Sequence, residues 1–285
     1  MPRLRRILFP IDYSERSLAA ARRVRTLAAR FHSEVVLLHV LAPLPAHLAA
    51  LDLTSLLPES HAASSERARR ELGDFLDTEL AELEVLRILA EGSPADSILR
   101  HAEALAADLI VMPTRGLDVF RRYVAGSVTA KVLHDAGIPV WTGEAGTPFS
   151  RRIEHIICAV DLGPQSVKAI TWASDLANRL GACVTLVHMA PGFRQTLGRH
   201  FDSGWRRSLV TWASERLQKV QEAAKTDWDM HIEIGDAARG VVRTASALNA
   251  DLLVIGRSRH EGLLGALRAH TYAIAGQSPC PVVSV

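Results

Sequence analysis

Asp12 ends the apolar run Ile7-Leu8-Phe9-Pro10-Ile11, where a carboxylate can accept hydrogen bonds from a base or ribose, hold a metal, or cap the following helix or turn. A second set of chemically useful residues lies in Met112–Val128, MPTRGLDVFRRYVAGSV, directly after the apolar Leu109-Ile110-Val111. Gly116 can adopt backbone angles closed to other residues. Gly126 and Ser127 open a segment of helical period, whose free N–H groups and dipole favour an anion, and Ser127 adds a hydroxyl donor. Two glycines at this spacing also suit an ordinary loop-to-helix cap. Together with Asp12 they offer a phosphate cradle beside a carboxylate.

Stepping along the chain, the same pattern is written twice. Ile7–Asp12 matches Ile156–Asp161, and Leu37-Leu38-His39-Val40 matches Leu186-Val187-His188-Met189, both 149 residues apart. Later the offset falls to 143, where Gly92 matches Gly235 and Ala107–Val111 matches Ala250–Val254. Ile138-Pro139-Val140 matches Cys280-Pro281-Val282 at 142. A nearly constant offset with small slips describes a duplicated domain with different loop lengths.

Within each half, short β-branched apolar runs alternate with longer segments of helical period, which predicts parallel strands joined by crossover helices. Strands are expected near 6–11, 34–40, 84–89, 108–112 and 138–142, with helices near 14–31, 61–82, 94–106 and 126–136. Ser14 and Ser93-Pro94 are helix starts, the proline at the first helical position. In the second half strands fall near 154–160, 182–188, 229–234, 251–255 and 281–285. The linker TGEAGTPFSRR places the boundary near 145–150, giving domains 1–145 and 151–285. Each is read as a doubly wound α/β domain with a five-stranded parallel sheet flanked by helices. In such sheets ligands bind beyond the carboxyl ends of the strands, where the chain order reverses. In the first half those ends are Asp12, Val40, Gly92 with Pro94, and Met112 through Ser127.

Composition narrows the partners. The 285 residues are 48% hydrophobic, enough for two cores. Lysine and arginine number 33 against 31 acidic residues, so no polyanion surface and no nucleic-acid partner is expected. Cys158, Cys183 and Cys280 are odd in number, set in apolar runs and without a CxxC pair, which suits a reducing cytosol. The apolar stretch before Pro10 and Asp12 is too short for a signal-peptide core, and no run of 18 apolar residues is present to span a membrane. His39 and His188 recur at equivalent strand ends, yet no cluster at metal spacing accompanies them, so strand packing is the expected role. The apolar 43–60 and the basic, aromatic 190–208 are expected to form a lid or a partner surface.

The chain resembles the universal stress protein family over nearly its whole length, as a tandem member. The resemblance rests on ILFPIDYSERSLAAARRVRTLAA, VVLLHV, EGSPADSIL, ADLIVMPTRG and VAGSVTAKVLHDAGIPV, and again on IICAVDLGPQSVKAITWASDLA, LVHM, EIGDAARGVV and ADLLVIGRS. It implies a Rossmann-like fold of the adenine nucleotide alpha hydrolase-like type, and a pseudo-twofold association of the two domains through their last strands. The ATP-binding branch of that family carries Gly-x2-Gly-x9-Gly-Ser/Thr, which here falls on Pro113, Gly116, Gly126 and Ser127. By resemblance Asp12, Val40 and Met112 would border adenine and ribose, and Gly116, Gly126, Ser127 and Val128 would face the phosphates of ATP, with Mg held partly by Asp12. Pro113 departs from the pattern: it has no N–H and fixes φ near about −65°, so affinity is expected to be impaired and not necessarily lost. In the second half Gly256 remains, but Arg259, Ala269 and His270 replace the rest, so that site is read as degenerate.

These observations imply a cytoplasmic stress-response protein that binds nucleotide in its first domain and acts mainly through partners yet unnamed, with a further homodimer compatible with the sequence. Two rivals stay open. One is a weak ATP hydrolase, against which stands the lack of a Walker loop or a nucleophile beside a base. The other is a scaffold without nucleotide, favoured by Pro113.

Overall fold

The computed structural model describes residues 4–42, 61–113, 127–143, 152–163, 165–191, 203–256 and 266–285. In the first repeat these form β1 (Arg6–Ile11), α1 (Glu15–Phe31), β2 (Glu34–Leu41), α2 (His61–Asp74), β3 (Val85–Glu91), α3 (Pro94–Ala104), β4 (Leu109–Pro113), α4 (Ser127–Asp135) and β5 (Val140–Gly143). The second repeat gives β6 (His155–Val160), α5 (Ser166–Leu180), β7 (Cys183–Pro191), α6 (Ser203–Ala224), β8 (Asp229–Gly235), α7 (Ala237–Ala247), β9 (Leu252–Ile255), α8 (Ala266–Gln277) and β10 (Val282–Ser284). One compact unit takes in Arg3–Pro113 and Gly126–Val140, and the other includes Trp141–Val285.

The strand order is β3-β2-β1-β4-β5 in the first repeat and β8-β7-β6-β9-β10 in the second. The pairs β1–β2, β1–β4, β2–β3, β6–β7, β6–β9, β7–β8 and β9–β10 are all parallel. Chain order therefore reverses between β1 and β4, and again between β6 and β9. Central strands are apolar on both faces because helices cover both: Ile7, Leu8 and Phe9 of β1 and Ile156, Ile157 and Cys158 of β6 are fully buried. The helices supply apolar stripes at helical spacing, Ala21, Val24 and Ala28 on α1 and Ala169, Ile170, Ala173 and Leu176 on α5.

Each repeat is tied at the amino ends of its strands by one carboxylate. Asp108 Oδ2 accepts from the amides of Arg5 and Arg6 at 2.7 and 3.0 Å, and Asp251 Oδ2 from those of Glu154 and His155, both at 3.0 Å. The duplication extends to backbone angles. Tyr13 (φ 58) pairs with Leu162 (φ 62), His32 (φ 52) with Gly181 (φ 71), Leu76 (φ 60) with Lys225 (φ 56), and Ala106 (φ 48) with Asn249 (φ 50). Non-glycine residues seldom take positive φ, so these shared turns are imposed by the fold.

Two details depart from the sequence reading. α2 ends at Asp74 and not near 82, because Leu76 turns left-handed and the following turns bury Leu76 and Leu80. Cys183, read in an apolar run, is exposed as the first residue of β7, whereas Cys158 and Cys280 are buried; all three are free thiols. The loops at 43–60 and 192–202 lie outside the described residues. Among the described residues no helix is long and apolar enough to cross a membrane.

Candidate functional site

The topology brings Asp12, Val40 and Met112 to one edge of the first sheet. Ile11 pairs with His39, so Asp12 follows beside Val40, and Met112 lies near the end of β4 on the other side of β1. This edge includes the reversal point between β1 and β4. Val40 is half-buried and Met112 is 6% exposed, so Met112 can offer a ligand little beyond its backbone. Ser127, exposed, is the first residue of α4, and Val128 follows half-buried. Gly116 and Gly126 lie outside the described residues.

Asp12 is held by one oxygen. Its Oδ1 accepts from the Ser14 amide at 3.1 Å, the Ser14 hydroxyl at 2.5 Å and the Ser17 hydroxyl at 2.8 Å. Among the described residues no hydrogen bond reaches Oδ2, and the side chain is exposed. Partial burial alone would raise its pKa, but the two hydroxyls and the backbone amides outweigh it and hold the carboxyl below its ordinary 3.8. The cap of α1 is Ser14, whose hydroxyl oxygen accepts from Ser17 N at 3.3 Å. Asp12 thus closes a turn with Oδ1, and Oδ2 is left without a bond among the described residues.

His39 behaves as a packing residue. Its Nδ1 meets the Ile11 carbonyl at 3.0 Å, its ring lies 4.4 Å from that of Tyr13, and Tyr13 in turn packs edge-on to Phe75 at 5.1 Å. Sequence reasoning named Ser14 only as a helix start, which it is, and passed over Ser17 and Tyr13. The signal was the spacing Asp-x-Ser-x2-Ser over 12–17, repeated as Asp-x-Gly-x2-Ser over 161–166.

The second repeat departs from the first at this edge. Asp161 is buried, its Oδ1 accepting from the Gly163 amide at 2.9 Å and the Ser166 hydroxyl at 3.4 Å. Burial raises its pKa against those bonds and the nearby His188. Leu162 stands where Tyr13 does. α8 runs from Ala266, so Ala269 and His270, aligned with Gly126 and Ser127, sit a turn inside the helix. The amide of His270 is then past the four free N–H groups that could meet an anion. Arg257 and Arg259 lie outside the described residues.

Pro113 closes β4, and its counterpart is Gly256. Gly256 N donates to the Ala159 carbonyl across a long 3.4 Å, and Gly256 has no left-handed φ. By this comparison, proline at 113 forgoes one weak bond and meets no backbone conformation reserved for glycine.

A family model described as the universal stress protein family matches residues 3–142 and again 152–285. The chain belongs to the universal stress protein family. It is a tandem member, with one family domain per repeat. It is 26% identical over 291 residues to a universal stress protein of Mycolicibacterium smegmatis, covering 98% of this chain and 96% of that one. A universal stress protein of Methanocaldococcus jannaschii is 32% identical over 144 residues, 48% of this chain and 79% of its own. In fold, the chain matches the crystal structure of a universal stress protein from Archaeoglobus fulgidus with a TM-score of 0.74, 19% identity, and coverage of 99% and 98%. The doubly wound, Rossmann-like architecture read from the sequence is the architecture of that family.

Proposed function

We propose that the first repeat of this tandem universal stress protein binds an adenine nucleotide at the carboxyl edge of its sheet, and that the protein serves a cytoplasmic stress response through contacts with other proteins. The observation that carries this is Asp12: an ionised, exposed carboxylate with one oxygen clamped and the other without a bond among the described residues, standing at the reversal point of a parallel sheet. Ser127, exposed and the first described residue of α4, adds a hydroxyl suited to phosphate.

ATP is the ligand that the chemistry of these residues would suit. Asp12 and the backbone of Val40 and Met112 would hold base and ribose; Gly116, Gly126, Ser127 and Val128 would hold the phosphates. Magnesium, if it accompanies the phosphates, would take Asp12 as one oxygen ligand, the donor type that this cation prefers. The nucleotide would supply a bound signal; the protein side supplies only binding groups. The second repeat retains Asp161 and Gly256 but not the amides at the helix start, so nucleotide binding is assigned to the first alone.

The test is to extract and identify the nucleotide retained by purified protein. Wild type should carry adenine nucleotide and Asp12→Ala should carry little. Equal nucleotide content in both proteins would overturn the role of Asp12, and none in wild type even after incubation with ATP and magnesium would favour the scaffold reading.

A further inference from the structure

A cavity of about 480 Å³ opens between α6 and β8, the edge strand of the second repeat. It is lined by Arg206, Arg207, Val210 and Thr211 of α6 and by Ile232 and Ile234 of β8. Arg206 and Val210 are four residues apart, as are Arg207 and Thr211, so these side chains form one patch of the helix surface. All strand pairs of the repeat are parallel, so α6 returns antiparallel to β8. The two arginines therefore stand toward Ile234, and Val210 and Thr211 toward Ile232.

The charge in this cavity is of one sign. Ile232 and Ile234 alternate along β8 with His231 and Glu233, which take the opposite face. There Glu233 is engaged by His231 at 2.9 Å and by Arg243 of α7. Among the described residues no acidic side chain lines the cavity, and the first turn of α6 carries none. Arg206 and Arg207 are exposed, and among the described residues neither has an ion pair.

The first repeat fills the same place differently. Leu41 pairs with Glu91, and its counterpart Ala190, 149 residues on, pairs with Ile234. Ile234 thus stands where the first repeat has a carboxylate, and Glu91 there accepts from the Ser65 hydroxyl of α2 at 3.4 Å. An acid held by its helix is replaced by two guanidinium groups beside two isoleucines.

That lining defines its occupant. Two cations without a counter-charge call for an anionic head, and the planar guanidinium fork matches a carboxylate in two parallel hydrogen bonds. Val210, Ile232 and Ile234 call for an apolar body as well, which an inorganic anion lacks. The volume falls within the roughly 300–1,000 Å³ of small-molecule sites. We propose that this cavity binds a small carboxylate with an alkyl tail, the chemistry of a medium-chain fatty acid, its head on Arg206 and Arg207 and its tail along Val210, Ile232 and Ile234. The site uses no residue of the first repeat and stands independently of nucleotide binding there.

The test follows the methyl groups of Ile232 and Ile234 in the full-length protein by NMR during separate titrations with sodium octanoate, sodium acetate, sodium phosphate and 1-octanol. Octanoate should shift both methyls saturably at one equivalent. Acetate and phosphate, heads without the tail, and octanol, a tail without the charge, should each bind at least about tenfold more weakly. Arg206→Gln with Arg207→Gln should weaken octanoate at least about tenfold, the scale of a hydrogen bond between charged groups. Ile234→Glu, which restores the acid of the first repeat, should abolish the response while both arginines remain. An unchanged melting temperature would show that each variant is folded. No saturable response to octanoate, an equal response to octanol, or octanoate binding that survives the double arginine variant would overturn the proposal, and saturation by phosphate as tight as by octanoate would replace it with a plain anion site.

Discussion

The hydroxyl of Ser17 donates to Asp12 Oδ1 at 2.8 Å while its oxygen lies 3.3 Å from the amide nitrogen of Asp12 itself. Ser17 is fully buried on α1, so a rigid helix fixes the carboxylate at both its side chain and its backbone. This clamp uses one carboxylate oxygen for the fold and leaves the other without a bond among the described residues.

Ser17→Ala removes the clamp. It should cost about 1 kcal/mol at neutral pH, the usual worth of one hydrogen bond in a partly buried setting. The sign with pH is set by the lowered pKa of Asp12: its stabilisation is present above 3.8 and is lost as the pH falls through the lower folded value. The variant should therefore lose less stability than wild type below pH 3.8. Denaturant melts of both proteins at neutral and acid pH measure this.

His188 works on the other side. Its folded pKa lies below its ordinary 6.5, so the unfolded chain takes up the proton first and stability falls as the pH drops below 6.5. Asp161, with its pKa raised from 3.8, acts oppositely, favouring the folded state below 3.8 and losing that contribution as the pH rises through its folded value. His188→Gln should flatten the decline below 6.5, and an unaltered slope in thermal melts would show that the ring is protonated in the fold.

Gly240 of α7 packs against Met189, where an added Cβ would fall 2.0 Å from Cε and 2.7 Å from Sδ. Gly240→Ala gains about 1 kcal/mol in helix propensity but overpacks a buried thioether, which costs about 1–3 kcal/mol. Net destabilisation is expected in wild type. In a Met189→Ala background the same substitution should stabilise, as read from the change in urea midpoint.

Asp108 and Asp251 each accept two backbone amides. Alanine at either position should cost about 1.5–3 kcal/mol, as for hydrogen bonds to a charged group. Because they occupy equivalent positions in separate repeats, each loss should appear in the unfolding of its own repeat, which hydrogen exchange resolves.

The periodicity of the apolar runs and the 149-residue offset carried the strand positions and the duplicated parallel sheet, because buried parallel strands leave a near-continuous apolar pattern, while the strand order within each sheet came from the structure. The same offset predicted the matching left-handed turns at Tyr13 and Leu162 only in hindsight, since neither residue type announces a positive φ. Asp12 was legible as a strand-end carboxylate, and its support by Ser14 and Ser17 was readable from spacing. What stayed hidden was burial: Asp12 and Asp161 are the same residue type at the same place, yet one is exposed with a lowered pKa and the other enclosed with a raised one. That contrast depends on what neighbouring elements cover, which local sequence does not encode.

The most direct test of the central claim is calorimetric titration of the nucleotide-free protein with ATP and magnesium. The account predicts one site per chain, lost in Asp12→Ala and in the Gly126→Val with Ser127→Ala double variant. Two equivalent sites, or binding that survives both variants, would contradict the assignment to the first repeat.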